Sequence, residues 1–126
     1  MPEGPAIRVR RVAESIREAL SILLEFEVKD PGAAGTVVTR VEMHDDLQSG
    51  RVFVRRLEGA TDTDKRALER ALQRASGMLR RELTRRVGLR RAPDLRYVYD
   101  EGQDAASRVE ALLAEIALQK GKGSEK

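Results

Sequence analysis

Six arginines, Arg80, Arg81, Arg85, Arg86, Arg90 and Arg91, stand as three doublets in a run of twelve residues. Guanidinium groups at that density suit one kind of chemistry, forking onto the oxygens of phosphate groups. The segment from Asp62 to Arg91 holds ten Lys/Arg against four Asp/Glu and carries +6, while the rest of this +3 chain carries −3. Arg outnumbers Lys 19 to 5 throughout, so abundance alone decides nothing. Segregation is more telling, because a merely soluble surface intersperses both signs. A nucleic-acid backbone is the partner such a surface recognises. Arg70 and Arg74 extend the cluster upstream, and Arg8, Arg10 and Arg11 form a second basic group near the start. Arg8 and Arg11 flank an apolar stripe, where solvation or pairing with Glu14 or Glu18 competes with a binding role.

Other chemistries find little support. With no Cys, disulfides, thiolate zinc sites and thiol nucleophiles are excluded. His44-Asp45-Asp46 is the only cluster suggesting acid/base or metal-assisted catalysis. Those residues share one short turn, whereas a nuclease needs carboxylates converging on metal from several elements. No catalytic residue, metal or cofactor is therefore expected. No stretch approaches the roughly 20 apolar residues that span a bilayer, and no apolar run precedes the first amphipathic helix. A cytoplasmic protein without membrane contact is the expectation.

The positioning elements follow from periodicity. Val9, Val12, Ala13, Ile16, Ala19, Leu20, Leu23 and Leu24 recur at helical spacing. Asp30-Pro31-Gly32 breaks the pattern, with Asp30-Pro31 expected to form a turn. Thr36 to Met43 and Arg51 to Leu57 read as two strands of a hairpin. From Thr61, spaced to Asp64 as in a capping box, an apolar helical stripe runs through Leu68, Leu72, Ala75, Leu79, Leu83 and Val87. Gly77 lies inside it, in Ala75-Ser76-Gly77. Periodicity leaves two readings open there, a kink between two helices and one continuous helix with a tolerated glycine. Leu95, Tyr97 and Tyr99 alternate as a third strand, with both tyrosines assigned to the sheet core rather than to base stacking. A last amphipathic helix carries Ala105, Val109, Leu112, Leu113 and Ile116. One domain of 126 residues can bury about two thirds of its unfolded surface, and a three-stranded sheet covered on one face by helices should bury every stripe.

This order, with Val28-Lys29-Asp30-Pro31, Val37 to Leu47 and above all Ala75 to Glu101 (ASGMLRRELTRRVGLRRAPDLRYVYDE), resembles the bacterial ribosome-binding factor A family. The resemblance implies an α+β, KH-like type II domain over residues 7–119, in the order α-β-β-α-α-β with an extra C-terminal helix. The core would span 7–100 and that helix about 104–119, ahead of a disordered tail at 120–126. It implies a non-catalytic factor that binds the immature 30S subunit and 16S rRNA and assists late maturation, with importance in the cold. Ribosomal proteins or a releasing assembly factor are further partners on this view, and a monomer suffices. Members replace the GxxG loop of KH domains with an interrupted helix marked Ala-x-Gly, here Ala75, Ser76 and Gly77. Between the paired helices the chain has no GxxG, the turn that brings a KH backbone against about four nucleotides, so phosphate contacts and shape should dominate. Gly32 stands where a basic residue is common in the family, and His44 where a small polar one is. A ribonuclease using Asp45 and Asp46, and a protein-interaction module docking through the last helix with Glu110 and Glu115, are the alternatives.

Overall fold

The apolar stripe of the first helix, α1 (Pro5–Phe26), places Ile16, Leu20 and Leu23 fully inside the protein. The computed structural model describes residues 5–124. Asp30 ends the helical pattern as expected: its carboxylate accepts the Gly32 N–H at 2.9 Å and caps a single 3-10 turn, Pro31–Ala33. A side chain on Gly32 would press within 3.2 Å of the Ala71 Cβ, so this turn packs tightly against the helix carrying Ala71. Two antiparallel strands follow, β1 (Thr36–Met43) and β2 (Ser49–Arg56). Helices α2 (Asp62–Arg74) and α3 (Ser76–Val87) then lead to β3 (Asp94–Tyr99), which pairs parallel to β2. The sheet order is β1-β2-β3, and α4 (Glu101–Ser124) comes after it.

One face of the sheet carries the core. Val38, Val52, Val54, Leu95, Tyr97 and Tyr99 pack against Ile16, Leu20 and Leu23 of α1, Leu68 and Leu72 of α2, and Leu79 and Leu83 of α3. This is the expected α+β architecture, and both tyrosines are core residues as expected. The hairpin register is pinned at Met43↔Gly50, where a Cβ on Gly50 would stand 2.5 Å from Met43 Sδ and 2.6 Å from the Glu42 carbonyl oxygen. Only glycine fits that close approach.

A β-bulge interrupts β1 between Val38 and Arg40. Simple alternation would put those two side chains on one face; the extra residue, Thr39, turns Arg40 to the opposite face and sends Val41 and Met43 toward the core. The Thr39 hydroxyl donates to Asp100 Oδ2 at 2.6 Å, and Asp100 Oδ1 accepts the Gln103 N–H at 2.9 Å. Partial burial works to raise the Asp100 carboxyl, but these two hydrogen bonds together with the nearby Arg40 and Arg55 charges outweigh it and hold its pKa below the ordinary value.

The last helix departs from expectation in two ways. It begins at Glu101, because Asp100 caps it, and it runs to Ser124, through positions expected to be disordered tail. Ala117, Leu118, Gln119 and Lys120 favour propagation, and with no proline beyond them the helix continues through Gly121 and Gly123 despite their low propensity. Glu125 and Lys126 of that expected tail lie outside the described residues. The apolar stripe of α4 is not buried either: Leu112 is 56% and Leu113 59% exposed. The core face of the sheet is already occupied by α1, α2 and α3, and only the first turns of α4 meet the sheet, where Arg55 donates to the Ser107 hydroxyl at 3.3 Å.

Candidate nucleic-acid interface

The basic segment begins with a well-anchored helix. Thr61 and Asp64 form the expected capping box, each side chain accepting the other's backbone N–H at 3.2 Å, and these contacts lower the Asp64 carboxyl pKa. Leu68, Ala71 and Leu72 then bind α2 to the core. Two of its cations pair with carboxylates of other elements. Lys65 Nζ lies 2.8 Å from Glu101 and 5.1 Å from the Tyr99 ring centroid, tying α2 to the start of α4. Arg74 donates through two nitrogens to Asp30 Oδ2, at 2.7 and 3.1 Å, and with the Gly32 N–H it holds that carboxyl below its usual range. Arg74, expected as a phosphate ligand, is thus engaged as a clamp on the Asp30 turn. Arg70 is exposed and has no carboxylate partner among the described residues.

The structure resolves the two readings of Ala75-Ser76-Gly77 in favour of two helices. The break falls at Ala75 (φ −82°, ψ −3°), whose N–H still reaches Ala71 O at 3.1 Å and whose carbonyl accepts Leu79 N–H at 3.0 Å. Gly77 is not what permits it: its φ is not positive, and a Cβ there would meet nothing nearer than Arg81 Nη1 at 3.8 Å. Gly77 lines a shallow groove of about 490 Å³ together with Arg80, Arg81, Thr84 and Ala92.

Consecutive residues on a helix diverge by about 100°, so the doublets do not act as pairs. With Leu79, Leu83 and Val87 facing inward, Arg81 and Arg85 point squarely to solvent, while Arg80 and Arg86 flank the buried stripe on opposite sides. Arg80 reaches the Ala92 carbonyl at 3.5 Å across the groove. Arg85 and Arg86 both bracket Glu82, at 2.6 and 3.7 Å, and Arg85 above all lowers the Glu82 carboxyl pKa. Gly88, at φ 76°, ends α3 in the left-handed conformation with its N–H on Thr84 O. The chain then passes through the exposed Arg90 and Arg91 into Ala92. Arg80 and Arg81 therefore line one groove with Ala92, and Arg90 and Arg91 stand exposed in the loop just before Ala92.

The N-terminal basic group lies elsewhere. Arg85, whose pKa Glu82 raises above all, also feels Glu27 just past the end of α1, and Arg11 is about 22 Å back along α1 from that end at 1.5 Å per residue. Arg8, Arg10 and Arg11 are exposed and do not join Arg85. Glu14, one of their suggested partners, is held by Arg17 at 2.5 Å. His44, Asp45 and Asp46 are exposed in the hairpin turn, where Asp46 accepts the Gln48 N–H at 3.0 Å. Among the described residues no group of three His, Cys, Asp or Glu could hold a metal ion.

A further set of cations was not singled out by sequence reasoning. Arg40, Arg51 and Arg96 share the face of the sheet that the three core helices leave open, around Phe53. They are distant in the chain, and the only signal available was their position opposite the apolar residues in each alternating strand.

The family model described as Ribosome-binding factor A matches residues 8–113. A Sorangium cellulosum ribosome-binding factor A is 53% identical over 114 residues, covering 90% of this chain and 91% of that protein. The Brevibacillus brevis protein of the same name is 39% identical over 118 residues, 94% of this chain and 96% of its own. The crystal structure of ribosome-binding factor A from Thermus thermophilus superposes with a TM-score of 0.63 at 26% identity, covering 77% of this chain and 97% of that one. A homology model of the Thermus thermophilus factor, fitted into a cryo-EM map of its complex with 30S, gives 0.59 at 26% identity, over 71% and 92% of the two chains.

Proposed function

The chain belongs to the ribosome-binding factor A family, and from that premise we propose that it is a non-catalytic assembly factor that binds the immature 30S subunit through its 16S rRNA. The observation that carries the reading is the set of exposed arginines on and after α3: Arg80 and Arg81 beside the Gly77 groove, Arg85 and Arg86 further along the helix, and Arg90 and Arg91 in the loop that follows. Planar guanidiniums on the exposed side of a core-anchored helix track a phosphate backbone by charge and position rather than by sequence. The groove takes the place of a GxxG turn, letting a sugar-phosphate chain approach α3 where no side chain stands. Arg70 lies on the preceding helix as a supporting contact, and Arg8, Arg10 and Arg11 form a separate one.

The ribosome-binding domain on this reading is residues 7–119. It works in the cytoplasm as a monomer, assisting late 16S rRNA processing and maturation, with its greatest importance in the cold, where misfolded RNA escapes slowly. It needs no cofactor. The Thermus thermophilus relative fitted into a 30S complex supports the partner. The exposed stripe of α4 favours a second, complementary contact through that helix with a ribosomal protein or a releasing factor.

Cosedimentation with purified immature and mature small subunits over a salt series tests the reading. Wild-type binding should weaken with salt. A folded Arg80→Glu, Arg81→Glu, Arg85→Glu, Arg86→Glu variant should lose affinity, with its log-log salt slope reduced by roughly 3 at about 0.7 per phosphate. Wild type that fails to sediment with either subunit would refute the proposal. Binding that survives both high salt and the variant would assign the contact to α4.

A further inference from the structure

The strand register assembles a second surface on the open face of the sheet. The pairings Arg40↔Phe53 and Phe53↔Val98 make one row across the three strands, and Glu42↔Arg51 and Arg51↔Arg96 make the next. Rows two residues apart are about 7 Å from each other, close to the spacing of successive phosphates along an extended strand. The Arg40 guanidinium lies 4.0 Å from the Phe53 ring centroid, and that of Arg51 lies 5.6 Å from it. Phe53 is only 9% exposed, with these two arginines over its ring and the start of α4 beside it.

The roof is loosely held. Glu42 is the carboxylate that pairs with both arginines, at 3.5 and 3.2 Å, with all three side chains more than two fifths exposed. Exposed pairs of this kind contribute little and exchange readily. Arg96 has no carboxylate partner among the described residues. Beside the roof, an open groove of about 510 Å³ runs past Arg40, Phe53 and Gln103. The start of α4 bounds it at the Asp100 end.

We propose that this face is a second RNA-contact site, taking one unpaired base stacked on the outer face of the Arg40 guanidinium, itself stacked on Phe53, with flanking phosphates on Arg51 and Arg96. A guanidinium plane stacks on bases as an aromatic ring does, and the Phe53 ring beneath fixes its orientation. Gln103, in the groove, is the residue type that pairs with an adenine edge. The site rests on the reading of the chain as an RNA-binding protein but not on the arginines of α3. Its chemistry is also different, since it reads a base where α3 meets only backbone.

Fluorescence anisotropy separates the two, using a short oligoadenylate and an abasic ribose-phosphate chain of equal length, both at low salt. Arg40→Lys keeps the charge and removes the plane; it should bind oligoadenylate about five- to a hundredfold more weakly, the range of one lost stack, and the abasic chain as wild type does. Phe53→Leu should act in the same direction, with thermal unfolding confirming its fold. Arg80→Glu with Arg81→Glu should weaken both ligands alike. The proposal is overturned if Arg40→Lys binds oligoadenylate like wild type, if it weakens both ligands equally, or if wild type fails to prefer oligoadenylate. Because 30S cosedimentation does not depend on these ligands, such a result would leave the role of the α3 arginines standing.

Discussion

The arginines of α3 and those of the open sheet face reach solvent by different routes. On α3 they are neighbours in sequence that the helix separates, Arg80 turning to the Ala92 loop while Arg81 faces outward. On the sheet they are strangers in sequence, at positions 40, 51 and 96, that strand pairing brings together. A linear cluster therefore overstates how far its members act as one, and a scattered set understates it. The helical surface depends on the anchoring of one element, through Leu79 and Leu83; the sheet surface depends on a register between three.

That dependence makes the hairpin the most sensitive place to intervene. Gly50→Ala forces a Cβ against the Glu42 carbonyl and Met43, backbone and core atoms that cannot both give way, next to the Glu42–Arg51–Arg96 row. Stability should fall by about 1–3 kcal/mol, the usual cost of overpacking, read as a lower urea midpoint. Base-dependent RNA binding should be lost before the phosphate binding of α3. Equal loss of both would make the two surfaces one cooperative unit.

A smaller effect should come from the ion pair that removes Arg74 from the basic surface. Asp30 has a pKa below its unfolded value, so the unfolded chain binds more protons, and the stability this group contributes is present above the ordinary carboxylate range and lost as pH falls through its folded pKa. Asp64 and Asp100 titrate in the same sense. Acid unfolding of Asp30→Asn, followed by circular dichroism, should show a shallower decline below about pH 4 than wild type. At neutral pH the freed Arg74 should strengthen 30S binding slightly. An unchanged acid limb would show that the pair contributes nothing in solution.

The smallest change expected is at Gly77. Its φ is not positive and a methyl group meets only the end of Arg81, so Gly77→Ala should leave the two-helix break intact and raise stability by up to about 1 kcal/mol. Phosphate binding should decline only as far as the methyl group narrows the groove. A straightened helix, visible as displaced amide resonances throughout α3, would return the break to the glycine.

Periodicity and punctuation were sufficient for much of this protein. Residues at helical spacing defined α1, α2 and α3, alternation defined the strands, Thr61 and Asp64 marked a helix start, and Tyr97 and Tyr99 declared a buried face. These are properties of short stretches whose solvent and core sides are set by local backbone geometry. Charge segregation likewise located the basic helix, because a helix exposes most of its polar residues wherever it packs. Tertiary structure decided the rest. Only the packing of α1, α2 and α3 on one face of the sheet left the α4 stripe exposed, and only the Asp30 carboxylate, 44 residues away, took Arg74 out of the surface. The bulge at Thr39, the turning of Arg40 onto Phe53 and the rows across three strands depend on which residue lies opposite which. A single strand's sequence carries its alternation but not its register, and register is what converts scattered arginines into a site.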